Sequence, residues 1–149
     1  MENSSLTLDS DVRLGMGNCA VVATSIFCDK PYTEVEAAYR EIVKTGMHRR
    51  DKGRSWGNPK KPNSFGLYRD EQKAALRKFN RRRSAGFKHK GTLLSFVRNA
   101  ARPGVRYYVV TKGHAQVVQD GVVIDQGGPV SVENHWGKRK QVEFCIARK

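Results

Sequence analysis

Cysteine is scarce in this chain of 149 residues: Cys19, Cys28 and Cys145 are the three present, an odd number with no Cys-x-x-Cys pair. That argues against a disulfide framework and against a cysteine-rich zinc site, and it fits free thiols in a reducing compartment. Long apolar runs are missing as well. No stretch approaches the ~18 consecutive apolar residues that a membrane span needs, so no membrane partner is expected. The opening Met1-Glu2-Asn3-Ser4-Ser5 lacks the basic start and apolar run of a secretory signal. Neither an internal repeat nor a phosphate-cradling glycine motif is present. His48, His89 and His135 stand isolated, and with Cys28 and Cys145 they make no metal-ligand spacing. No metal and no cofactor is therefore expected.

Acidic residues are also few: 14 Asp and Glu face 28 Lys and Arg, a net charge of +14. Such a field attracts polyanions and steers acidic partners without implying that base sequence is read. The excess is concentrated in the middle third. Between Lys44 and Lys90 lie 16 basic residues against three acidic ones, Asp51, Asp70 and Glu71. Two basic loops or insertions, 47–66 and 80–91, carry much of it, with Arg49, Arg50, Lys60, Lys61, Arg81, Arg82 and Arg83 as candidate nucleic-acid contacts. Trp56, Phe65 and Tyr68 among them can stack on unpaired bases or pin the loop to the core.

What is present otherwise suits one domain over 1–149, a length that buries roughly 70% of the unfolded surface. Asn18 precedes Cys19-Ala-Val-Val-Ala-Thr-Ser-Ile-Phe-Cys28, nearly all apolar or small, which predicts a buried helix capped by Asn18. The β-branched content also permits a buried strand. Thr33-Glu34-Val35-Glu36 reads as a capping box opening a helix to about Lys44. A shorter helix is predicted from Asp70 to Phe79, and another from Leu93 to Ala101 behind Thr92. Strands follow: 105–111, 114–118, then 122–125 across an Asp120-Gly121 turn, and a last one over 141–147. Gly127-Gly128-Pro129 reads as a turn. Helices first and an antiparallel sheet after make an α+β fold.

A thiol nucleophile needs positive charge beside it, an imidazole to move its proton, and a carboxylate or amide to orient that imidazole. Cys19 stands where a helix begins, and the amides there, its own included, can receive an oxyanion. His114 opens a strand between Gly113 and Ala115, and Asp125 ends the partner strand. Pairing of the kind 118 with 122 places 114 and 125 near one another. Each residue also has an ordinary reading: a packed core cysteine, a strand histidine, a turn-capping aspartate. Trp136 walls the cleft or anchors the last hairpin.

Gly17-Asn18-Cys19-Ala-Val-Val-Ala-Thr-Ser-Ile, Lys30-Pro31-Tyr32-Thr33-Glu34-Val35, and Gly113-His114 through Asp120-Gly121 to Asp125 resemble the small papain-like cysteine peptidases. The likeness is to the short versions carried by bacteriophages and bacteria, relatives of the bacteriocin-leader peptidases, and it spans roughly residues 14–126. It implies a papain-like fold with N-terminal helices on a C-terminal sheet, and a peptide or protein substrate. It implies Cys19 as nucleophile, His114 as base and Asp125 as orienting group, in a bacterial cytoplasm or a virion. Those enzymes commonly carry glutamine six residues before the cysteine, where this chain has Arg13. The oxyanion then falls to a backbone amide, to Asn18 or to Arg13, or the site is inactive. In that last case the chain binds nucleic acid or an acidic protein through its basic middle third.

Overall fold

The computed structural model describes residues 18–45, 66–80 and 82–148. Arg13, the basic segment 47–65 with Arg49, Arg50, Lys60 and Lys61, and Arg81 lie outside the described residues. Four helices precede five strands: α1 (Cys19–Cys28), α2 (Tyr32–Lys44), α3 (Arg69–Phe79), α4 (Leu93–Asn99), then β1 (Tyr107–Thr111), β2 (His114–Gln119), β3 (Val122–Asp125), β4 (Gly128–Ser131) and β5 (Val142–Ala147). The strands form one antiparallel sheet in the order β4-β3-β2-β1-β5. The fold is thus α+β, with the helices before the sheet. Among the described residues no helix is long and apolar enough to cross a membrane.

The apolar helix α1 is buried along all but its first residue. The capping residue resolves the choice between helix and strand: Asn18 Oδ1 accepts the N–H groups of Ala20 and Val21 at 3.0 and 3.4 Å, satisfying donors that a helix start leaves orphaned. At the other end Asp29 turns left-handed (φ 55°). Arg106 donates there to Ile26 O and Asp29 Oδ1, and Arg148 to Phe27 O and Asp29 Oδ2. Two guanidinium groups therefore cover the negative end of α1 and tie it to residues beside β1 and β5.

α2 differs from the expected capping box. It starts at Tyr32 with Pro31 as N-cap and has no side-chain cap bond. Pro31 arrives with a φ of −60°, and its carbonyl accepts the Val35 N–H at 3.1 Å. The Tyr32 hydroxyl accepts the Asn18 N–H at 3.1 Å, which draws residue 32 inward and moves the helix start ahead of Thr33. α3 begins one residue earlier than expected, where Glu71 Oε1 accepts the Tyr68 N–H at 2.8 Å. α4 is capped by Thr92 as expected, Oγ1 accepting Ser95 N–H at 3.1 Å, but stops at Asn99.

The sheet is covered on both faces. α1, α2 and α3 pack on the side of Tyr108, Val110, Ala115, Val117, Ile124, Phe144 and Ile146. α4 packs on the side of Tyr107, Val109, Val118, Val123 and Cys145. Burial on both faces explains why β1 and β2 lack polar alternation. Only Gln126-Gly127 turns between β3 and β4; Gly128 and Pro129, expected within a turn, belong to β4. Proline is tolerated because β4 is an edge strand. Residues 83–92, which include most of the loop expected over 80–91, run as an irregular strap beside β5, with bridges Arg83–Arg148, Phe87–Cys145 and Thr92–Gln141.

Candidate active site

The hairpin register decides whether His114 and Asp125 share a face. Val118 pairs with Val123 and Gln119 with Val122, one residue from the expected pairing of 118 with 122. A one-residue slip in a strand exchanges the two faces. In the observed register the position opposite Asp125 is Gln116, so His114, two residues along, is its diagonal neighbour on the same face. The expected pairing would have placed the two side chains on opposite faces. His114 Nε2 and Asp125 Oδ2 lie 2.8 Å apart, both buried.

Gly113, at φ 74°, supplies the left-handed turn that starts β2. Cys19 and His114 line one cleft of about 240 Å³ with Tyr68, Gln72 and Phe144. With Nε2 engaged by Asp125, Nδ1 is the other ring nitrogen of His114. Cys19 is half-buried, whereas Cys28 and Cys145 are buried, and burial pushes both of their thiols up to about 12.

The charges of the trio follow from its contacts. Burial works against a charged His114, but the hydrogen-bonded Asp125 carboxylate and the neighbouring Cys19 outweigh it, and the ring is raised to about 9. Burial likewise opposes ionisation of Asp125, yet hydrogen bonds from His114, His135 and the Gly127 N–H hold it well below the usual carboxylate range. At neutral pH the arrangement is an imidazolium beside a carboxylate. Asn18, expected as an oxyanion donor, uses its side-chain oxygen to accept the helix-cap bonds. Ala20 and Val21 donate to Asn18 Oδ1 and Val22 donates to Asn18 O. The Cys19 N–H has no acceptor among the described residues.

His135 is the residue that sequence reasoning missed. Its Nε2 lies 2.8 Å from the same Asp125 Oδ2. His114, Asp125 and His135 place one potential metal-ligand atom each within 4.8 Å of one another. Sequence offered no signal for this, since the histidines are 21 positions apart with two strands, β3 and β4, between them. Trp136, 64% exposed, lies over both rings, 4.9 Å from His114 and 5.4 Å from His135 between centroids. It walls a second cavity of about 500 Å³ that also contacts His114, Asp125, Gly127 and His135.

Arg82, just before the strap, and Lys88 and Lys90 on it are exposed. Arg83 is half-buried and donates to Asn80 O. Comparison with protein-family models, with curated proteins and with solved structures finds no match for this chain.

Proposed function

We propose that this chain is a thiol hydrolase of the peptidase or amidase type on a papain-like scaffold. The observation that carries this reading is the cleft that Cys19, at the N-terminus of α1, shares with His114, whose ring is hydrogen-bonded to Asp125. The Cys19 thiolate attacks the substrate carbonyl carbon and forms the C–S bond. The resulting oxyanion lies within reach of the Cys19 N–H at the positive end of α1. Collapse breaks the C–N bond as His114 passes its proton to the leaving amine, and a thioester remains. Water then attacks the thioester, His114 takes the water's proton, and the acid and the thiolate are released. Asp125 keeps the ring oriented and stabilises its charge. The substrate is a peptide or protein, met in a bacterial cytoplasm or a virion.

Iodoacetamide followed by peptide mapping tests this reading. Cys19 is expected to label at neutral pH at least tenfold faster than Cys28 or Cys145. Equal, slow labelling of all three thiols would sink it.

A second reading has its own observation. Lys138 and Lys140 accept backbone hydrogen bonds from Leu94 and Leu93, which brings Lys138–Lys140 beside the strap carrying Lys88 and Lys90. This basic patch suits a nucleic acid or an acidic protein, and phosphate contacts of that kind weaken steeply with salt.

A further inference from the structure

Asp125 Oδ2 receives two histidines at the same distance, His114 Nε2 and His135 Nε2 at 2.8 Å each, and the proposed chemistry uses only the first. The tautomer of the second is set by the backbone: the Gly137 N–H donates to His135 Nδ1 at 3.0 Å. A nitrogen that accepts carries no proton, so the ring holds its proton on Nε2 and donates it to Asp125. A ring protonated on both nitrogens would set two N–H groups face to face at Gly137.

The same bond argues against a metal at these three donors. An imidazole that ligates through one nitrogen donates an N–H from the other, whereas the outer nitrogen of His135 is an acceptor. The 2.8 Å separations are also hydrogen-bond lengths; two donors on a tetrahedral zinc stand about 3.3 Å apart, given metal–ligand bonds of ~2.0–2.1 Å.

His135 is held from every side. It is 3% exposed, the Trp136 ring stacks on it at 29°, and a Cβ on Gly137 would come within 3.2 Å of its ring. On the other carboxylate oxygen, the Gly127 N–H donates to Asp125 Oδ1 at 2.8 Å. Without His135 the carboxylate would keep the Gly127 N–H on Oδ1 but would have His114 alone on Oδ2, and the range of rotation about its Cβ–Cγ bond would widen.

We propose that His135 is a positioning residue, a backbone-locked Nε2–H donor that holds Asp125 in the orientation in which it meets His114. A neutral donor there also leaves the carboxylate's charge to the one imidazolium that carries the proton. The role in turnover rests on the thiol-hydrolase reading above; the tautomer and the hold on Asp125 do not.

Nitrogen-15 NMR of the full chain with labelled histidine, joined to iodoacetamide rates at Cys19, tests the proposal. In the wild type His135 is expected as the Nε2–H tautomer at pH 7, with a hydrogen-bonded N–H proton. His135→Ala is expected to slow Cys19 alkylation about tenfold and to speed solvent exchange of the His114 Nε2–H proton by a similar factor. His135→Gln, whose terminal amide N–H reaches as far as the imidazole Nε2, is expected to restore both to within about threefold. A His135 protonated on Nδ1, or a folded His135→Ala variant with an unchanged His114 proton, overturns the proposal. Wild-type Cys19 that labels no faster than Cys28 overturns the hydrolase reading instead, and the histidine spectra still decide the role of His135.

Discussion

Asp125 is the residue through which the charge on His114 is most directly tested. Asp125→Asn keeps the volume and removes the charge that holds His114 protonated. The variant is expected to bring the His114 pKa down from about 9 and to lower turnover by about 10²- to 10⁴-fold. Histidine titration by NMR and steady-state rates on a peptide substrate check the two halves. Cys19→Ser should abolish turnover while leaving the melting temperature within a few degrees, because the side chain sits half-exposed at the first position of α1. Cys19, His114 and Asp125 were legible in the sequence because each occupies a position with a chemical signature: a helix start, a strand start after glycine, and the end of a tight hairpin. His135 carried no such mark. Its partner is assigned by the turn that follows β4 and by a backbone N–H two residues on.

At the scale of elements, α1 depends on both of its ends. Asn18 is 1% exposed and satisfies two first-turn donors. Asn18→Ala is expected to cost about 1–2 kcal/mol in urea denaturation and to slow Cys19 alkylation by loosening the turn that carries it. At the far end Arg106, 5% exposed, links Gln119, Ile26 and Asp29. Arg106→Leu leaves the Ile26 carbonyl without that donor and Asp29 with Arg148. A loss of about 1–3 kcal/mol is expected, the lower end reflecting the 42% exposure of the Asp29 side chain. The helices and strands were largely readable from apolar periodicity and turn residues. The start of α2 was not, because Tyr32 is drawn in by a hydrogen bond to a residue 14 positions earlier.

For the molecule as a whole, the buried His114–Asp125 pair couples folding to pH. The folded His114 pKa lies above its ordinary value, so its contribution is fully present below about pH 6.5 and is lost as pH rises through about 9. Asp125 is shifted the other way, so its contribution is present above its ordinary value near 3.8 and is lost as pH falls toward its lower folded value. The melting temperature is therefore expected to fall between pH 6.5 and 10. In His114→Gln that fall should be shallower, as calorimetry would show. The net charge of +14 acts at the same scale. Association with a DNA oligonucleotide is expected at 50 mM salt, weakening by at least tenfold at 200 mM if two or more phosphates are contacted. No association at the lower salt would remove the basic-patch reading.

Composition and local pattern by themselves determined the α+β order, the buried character of α1, the Asp120-Gly121 hairpin and the basic middle third. These depend on neighbours along the chain: capping groups, apolar periodicity, turn conformations and charge. Only the tertiary structure decided that β2 and β3 pair one residue away from the expected register, which is what turns His114 and Asp125 to the same face. It also decided that residues 83–92 lie along β5 and that His135 completes the bonding of Asp125. The physical reason is common to all three. Each depends on the packing of segments distant in sequence, where one residue of register or one turn of backbone reassigns which side chains meet.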